Sequence, residues 1–325
     1  MRHLRTARAL SVLPALALIT ACGASGATGD GQEGTYTRPV EMVVPFGPGG
    51  GADALGRALA AEMEGPLGVD VPVVNVPGAT GGTGLAKMLS GKPGESIAVL
   101  SQDTMTTAVA GSASFSLEDI RAMCRLQSMP SAVMVRTGKF EKWEDLVAAA
   151  RKKTLTVATV GTQSVDDIVL GAISKTFGTT FRAVPFSEPS ERYGSVLNGD
   201  VDVLYEQLGD VRQYLDSGEF TPLAIIAEEA PEDYADVPTA GELGLPPETV
   251  LPQFRGIVTS ADASDEQVEA LASACEEAAG TDELTAFQED VYADPDSFQG
   301  TEFDDFLAEQ AELVSTQLEE YGITG

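Results

Sequence analysis

Histidine is almost absent from this chain. Its 325 residues include a single one, His3, in an N-terminal stretch that reads as a removable leader. A body without histidine holds no Ser-His-Asp or Cys-His nucleophile pair, no imidazole base and almost no route to a zinc site. Cysteine is nearly as scarce: Cys22, Cys124 and Cys275 are the three present, so no metal site is expected. Positive charge is short as well. Twenty basic residues face 50 acidic ones, a formal net charge of −30, which excludes nucleic acid, whose phosphates demand a basic face. What remains is the composition of a soluble globular protein, 43% hydrophobic and 22% charged, with apolar material for two cores. Neither an internal repeat nor a long low-complexity linker interrupts the body.

The leader is legible in its order. Arg2, Arg5 and Arg8 precede an apolar run from Ala9 to Ala21. That run contains Pro14 and is too short for a membrane span of about 20 residues. Basic, then apolar, then small residues read as a secretory signal. Ile19-Thr20-Ala21-Cys22 resembles the bacterial lipobox. That resemblance implies a signal peptide over 1–21 and a diacylglycerol thioether on Cys22, which becomes the first mature residue. Residues 22–35 carry little apolar mass and are expected to act as a flexible tether. Loss of three of the 20 basic residues with the leader leaves 17 against 50 acidic, a charge of −33. Anionic lipid repels such a surface, so the lipid on Cys22 must hold the protein at the cell membrane, on its extracytoplasmic side.

From Arg38 onward, strand and helix signals alternate. Val40 to Val44 is an apolar run between Pro39 and Pro45, a strand. Leu55, Leu59 and Met63 recur at spacing four and predict a helix from Ala52 to Glu64. The order repeats: strand Val71 to Val76 then helix Gly82 to Leu89, strand Leu155 to Val160 then helix Val165 to Phe177. Ile120, Ala122, Cys124 and Leu126 alternate with polar or longer residues and predict one apolar strand face. The last helix gathers Phe303, Phe306, Leu307, Val314, Leu318 and Tyr321 on one side, a cover for the body. Repeated βα units predict an α/β protein with parallel-rich sheets flanked by helices. Two domains without a linker suggest strands that cross between them.

Two loops carry candidate chemistry. In Phe46-Gly47-Pro48-Gly49-Gly50-Gly51-Ala52-Asp53, the residues Gly47, Gly49 and Ala52 formally satisfy the dinucleotide fingerprint. Pro48, however, removes an amide donor. No acid closes the second strand, which ends at Asn75, and the lysine of a phosphate-binding loop is missing. No nucleotide and no other cofactor is therefore expected. What survives is a glycine turn that exposes backbone N–H groups at a helix N-terminus, an anion site. Its candidates are Phe46, Gly49, Gly50, Gly51 and Ala52, with Asp53 capping the helix. A second turn over Asn75 to Gly84 offers Gly78, Ala79, Gly81 and Gly82. Two such turns at the carboxyl ends of adjacent parallel strands would converge on one crevice. Dipoles of this kind can hold an anion without any arginine.

These loops resemble those of the Bug-type solute receptors of tripartite tricarboxylate transporters. The Pro-Phe start and the Gly-Asp turn of 45–53 carry the likeness, as does Asn75-Val76-Pro77-Gly78-Ala79 with Gly81-Gly82. Val184-Pro185-Phe186, Leu197 to Asp202 and Phe254-Arg255-Gly256-Ile257 extend it over about residues 37–325. The resemblance implies a two-lobed, Venus-flytrap receptor of the type II periplasmic binding-protein fold, not an enzyme, and a monomer. Lobe 1 would comprise 36–127 plus 252–325, and lobe 2 128–251. A small organic acid (a di- or tricarboxylate, or an amino or aromatic acid) would sit between them for delivery to the transporter's membrane subunits. The two glycine turns would hold one carboxylate, and Thr162, Gln163, Ser164 and Glu206 would close from the opposite lobe.

Two other functions stay open: a ligand-sensing receptor feeding a sensor kinase, and an α/β enzyme acting on a small acid. Against the enzyme, Asp166-Asp167 and Asp304-Asp305 are adjacent pairs that diverge by about 100° on a helix and form no dyad. Ser187-Glu188-Pro189 and Glu206 depart from the family pattern, which usually has Lys-Gly and an aspartate or asparagine there. Extra carboxylates facing the cleft would disfavour a tricarboxylate and favour a ligand with an amino or amide group. Glu188 as a solvated helix-start acid and Glu206 as a structural acid are the alternatives. Cys124 and Cys275 are expected to be buried in lobe 1, either bridged or as two reduced core thiols.

Overall fold

The computed structural model describes residues 35–294, 298, 300 and 302–323. The signal peptide, Cys22 and all but the last residue of the tether lie outside the described residues.

Short apolar runs rich in valine, isoleucine and leucine form the strands. In chain order they are β1 (Glu41–Val44), β2 (Val73–Asn75), β3 (Ser96–Ser101), β4 (Ile120–Met129) and β5 (Ser131–Arg136). Then come β6 (Leu155–Thr159), β7 (Phe181–Pro185), β8 (Val203–Gln207), β9 (Phe220–Ile226) and β10 (Gln253–Ser260). They make two five-stranded sheets, ordered β2-β1-β3-β10-β4 and β7-β6-β8-β5-β9. In the first, β1 runs parallel to β2 and β3, and β10 lies antiparallel between β3 and β4. The second repeats the scheme, with β6 parallel to β7 and β8, and β5 antiparallel between β8 and β9. In each sheet the antiparallel strand is the one on which the chain arrives from the other, across Pro130 into β5 and across Pro252 into β10.

The helices are α1 (Gly51–Leu67), α2 (Gly82–Leu89), α3 (Gln102–Val109), α4 (Trp143–Ala150) and α5 (Val165–Phe177). They continue with α6 (Pro189–Asn198), α7 (Arg212–Asp216), α8 (Asp265–Ala279), α9 (Asp282–Asp290) and α10 (Phe303–Glu320). Leu55, Leu59 and Met63 of α1 are fully buried, as their spacing requires. Ser264 and Gln267 open α8 with a reciprocal capping box.

Helix α3 has no apolar periodicity, and pattern reading passes over it. Its sequence, QDTMTTAV, is polar yet almost wholly buried. Burial is tolerable because the hydroxyls are satisfied locally. Ser101 accepts from the amide of Thr104, while Thr106 and Thr107 donate to the carbonyls of Gln102 and Asp103 at 2.8 and 3.0 Å.

Strand β4 departs from simple alternation. Its register against β10 slips twice, leaving Met123 and Leu126 as extra residues. Each slip turns the following side chains over. Ile120 and Ala122 therefore join one core, whereas Met123, Cys124 and Leu126 join the other, under α1 and α8. The single apolar face expected for this strand does not exist. Cys124 is bridged to Cys275 of α8, with a Cα–Cα distance of 6.5 Å, and both are fully buried.

Helix α10 covers more than one lobe's worth of core. Phe303 packs edge-on against Phe254 of β10, with ring centroids 5.7 Å apart. At the other end, Glu320 pairs with Lys175 of α5 at 2.8 Å, and Tyr321 lies against Gly171. The helix thus reaches from the first sheet to a helix of the second.

Candidate functional site

Beyond the carboxyl ends of β1 and β3 in one sheet, and of β6 and β8 in the other, successive loops turn to opposite faces. Such switch points are where open α/β sheets leave a crevice. Here the loops of both sheets meet around a cavity of about 30 Å³. The first sheet supplies Phe46 and Gly50–Ala52 after β1, Ser101 at the end of β3 with Asp103 just after it, and Arg255 on β10. The second supplies Val160 after β6, Ser187, Pro189 and Arg192 around α6, and Glu206, Gln207 and Asp210 around the end of β8.

The first glycine turn is held from behind. The Asp53 carboxylate accepts from the Gly49 amide at 3.0 Å, from Asn75 at 2.9 Å and from Arg57 at 2.9 Å. Asn75 also donates to the Phe46 carbonyl at 3.1 Å, which ties the end of β2 to the turn after β1. Burial favours the neutral acid at Asp53, but the hydrogen bonds from Arg57, Gly49 and Asn75 outweigh it and hold the carboxyl below its ordinary value. Asp53 is thus a brace for the turn, and Gly49 sits behind the lining with it. The α1 N-cap, Gly50, has no side chain to cap with. The amides of Gly51 and Ala52 have no protein acceptor among the described residues, the usual state of a helix's first turn. Gly51 is where the opposite side comes closest. A Cβ there would overlap the Asp210 carboxylate and lie 2.6 Å from Arg255 Nη1.

The second glycine turn does not line the cavity. Gly78, Ala79, Thr80 and Gly81 all have positive φ, and Gly81 passes so near Thr104 of α3 that a side chain would strike it. The turn faces the loop between β6 and α5: the Thr80 hydroxyl donates to the Thr162 carbonyl at 3.4 Å. Gly82 opens α2 behind it. Thr162, Gln163 and Ser164 likewise stay out of the cavity. The Gln163 carbonyl accepts from Thr107 at 3.4 Å, its side chain pairs with Ser112, and its own φ is +55°. Ser164 is fully buried at the α5 N-cap without capping it. These residues form the contact between the sheets beside the cavity. Of the sequence candidates, Phe46, Gly50, Gly51, Ala52 and Glu206 are the ones brought together around it. Glu188 packs against Gly47 at the rim.

Apart from Glu206, sequence reasoning missed the cavity's charges. Arg255 of β10 forms a two-pronged pair with Asp210, Nη1 to Oδ1 at 3.0 Å, bridging the two sheets' loops. Arg192 of α6 pairs with Glu206. All four side chains are almost completely buried. Burial opposes the charge on Arg192, but the Glu206 carboxylate outweighs it and keeps the guanidinium protonated. Asp103 lies beside them and accepts from the Val165 amide at 3.2 Å. Burial, with Glu206 nearby, pushes its carboxyl up to about 6 against the opposing pull of the Val165 amide and both arginines. Asp166, which accepts from Val160 N at 2.7 Å, is raised too, by burial and by Asp103. A cleft that needs no arginine is legible in the glycine turns, but this one contains two. The available signal was placement. Arg192 shares the buried face of α6 with Pro189 and Val196, and Arg255 interrupts an apolar strand.

Among the described residues no group of histidine, cysteine, aspartate and glutamate could hold a metal ion. The family model of the tripartite tricarboxylate transporter family receptor matches residues 55–323. A curated Agrobacterium vitis relative, a UPF0065 protein from the TAR-I ttuE-ttuC' intergenic region, is 27% identical over 220 residues. That match spans 66% of this chain and 64% of the relative. Among solved structures, MatC of Rhodopseudomonas palustris with bound malate has a TM-score of 0.80 at 23% identity, covering 87% of this chain and 99% of that one. A second R. palustris protein, solved with adipate, has a TM-score of 0.79 at 19% identity, covering 89% and 98%. At those identities the likeness is one of fold: two lobes, each a mixed sheet flanked by helices. With the family model covering most of its length, the chain belongs to the tripartite tricarboxylate transporter family receptors, non-catalytic extracytoplasmic solute-binding proteins of the type II periplasmic fold.

Proposed function

We propose that this protein captures a small organic acid between its lobes and hands it to the membrane subunits of a tripartite tricarboxylate-type transporter. One observation carries the reading. The amides of Gly51 and Ala52, unpartnered among the described residues and at the positive end of α1, belong to a cavity lining that also holds the cations Arg192 and Arg255. Such a site suits a carboxylate, and the malate and adipate of the two solved proteins agree with it. The lobes divide near 36–127 plus 252–325 and 128–251, a reading supported by the crossings of the chain between the sheets at Pro130 and Pro252. A cavity of about 30 Å³ holds little more than water. An acid therefore enters when the lobes part, and they close on it through Arg255–Asp210 and Thr80–Thr162. The second glycine turn and Thr162, Gln163 and Ser164 act in that closure, and Glu206 positions Arg192. A diacylglycerol on Cys22 tethers the receptor at the extracytoplasmic face.

Thermal melts against a panel of mono-, di- and tricarboxylates test this. A ligand at 100 times its Kd stabilises by about 2.7 kcal/mol, so the true class should raise the Tm by about 5 °C or more. A response confined to sugars or cations would refute the carboxylate site.

A further inference from the structure

We propose that the ligand of this cleft carries a protonated nitrogen as well as a carboxylate, and that Asp103 is the residue that receives the nitrogen. The proposal rests on the carboxylate-receptor reading and narrows it to a class.

The argument is one of charge and partners around a single cavity. Its lining holds two cations, Arg192 and Arg255, and three carboxyl groups, Asp103, Glu206 and Asp210. Both arginines are already matched, Arg192 to Glu206 and Arg255 to Asp210. Among the described residues the Asp103 carboxyl has no ion-pair partner, and the hydrogen bond it accepts is from the Val165 amide to Oδ1. Behind it, Asp166 of α5 adds a further buried carboxyl. A ligand bearing only carboxylates would bring more negative charge to a site that already has an excess of it. Like charges that share a buried site repel strongly, and one of them is driven towards its neutral form.

The same cavity also has donors with nothing to bind. Arg192 is 5% exposed, and its Nε–H has no acceptor among the described residues. The amides of Gly51 and Ala52, in the same lining at the start of α1, also have no protein acceptor among the described residues. One part of the lining thus asks for a carboxylate, and another, at Asp103, asks for a cation. A zwitterion satisfies both and adds no net charge. Asp103 stands at the head of α3, where its own titration near 6 is set by burial and Glu206, opposed by Val165, Arg192 and Arg255, with Asp166 pressing from α5. A ligand ammonium would favour its ionised form. A second ligand carboxylate would instead require it protonated, and the two cases have opposite pH dependence.

Calorimetry on the ligand-stripped chain with matched pairs decides the matter: 4-aminobutyrate against butyrate, aspartate against succinate, leucine against 4-methylpentanoate. The proposal expects the amino member of a binding pair to bind at least tenfold more tightly at pH 7.5. Its affinity should fall about fourfold at pH 5.5, following the ionised fraction of a carboxyl titrating at about 6. Asp103→Asn should bring the pair's affinities within about threefold. Should that variant fail to fold, the pH comparison on the native chain decides alone. Equal or tighter binding of the acid without nitrogen, or affinity that rises at pH 5.5, overturns the proposal and leaves the carboxylate receptor standing. Binding by no acid of either kind defeats both.

Discussion

Gly51→Ala is the smallest change that should disable the cleft without touching the fold. Gly51 does not have a positive φ. It is the first residue of α1, where alanine is favoured over glycine by up to about 1 kcal/mol. The added methyl group nevertheless enters the cavity between the sheets. It would lie 2.6 Å from Arg255 Nη1 and overlap Asp210. Reaching ordinary contact at 3.4 Å requires the guanidinium to retreat by about 0.8 Å, and Asp210 by more. The two-pronged pair does not survive such a shift. Leaving both partners buried and unmatched costs about 3–5 kcal/mol. In an open cleft each regains water, so the cost falls on closure and not on folding. A closed state raised by about 3 kcal/mol binds an acid roughly a hundredfold more weakly. Calorimetry with a responding acid, beside urea melts of both proteins, reads this directly. A folded Gly51→Ala protein with unchanged affinity would refute the reasoning.

Other consequences are as direct. The Cys124–Cys275 bridge spans 151 residues, so its removal by paired serine substitutions should lower stability by about 2–5 kcal/mol; an unchanged urea midpoint would contradict it. The Asp53 carboxyl is held below its ordinary value, so its contribution is present above the unfolded carboxyl range and lost as pH falls through the folded value. The urea midpoints of Asp53→Asn and the native chain should therefore converge in acid and separate by pH 7, and a gap constant with pH would sink the brace assigned to Asp53. Cys22→Ser should move the protein from the membrane to the soluble fraction, and retention with the leader processed would argue against the lipid anchor.

Much of the fold was legible because βα alternation, glycine turns and capping residues are local signals. Leu55, Leu59 and Met63 announce α1, and Ser264 with Gln267 announces α8. Helix α3 was not legible, since its burial depends on threonine hydroxyls finding carbonyls in the same helix. Strand β4 misled because a bulge leaves alternation intact in the sequence while turning the side chains over. In the site, the first glycine turn announced itself through its backbone. Of the cavity's charged groups Glu206 alone was a candidate, because Asp103, Arg192, Glu206, Asp210 and Arg255 come from five separate elements or loops. Their pairing exists only once both sheets have formed. The second glycine turn looked equivalent to the first, but lies one strand away from the switch point and touches the opposite loop instead.

Native mass spectrometry of the chain, purified without unfolding and then released in denaturant, tests the central claim most directly. The account predicts one small acid per chain, retained by the native protein and lost from Gly51→Ala. A native protein that carries nothing, and whose mass and Tm respond to no carboxylate, would contradict it.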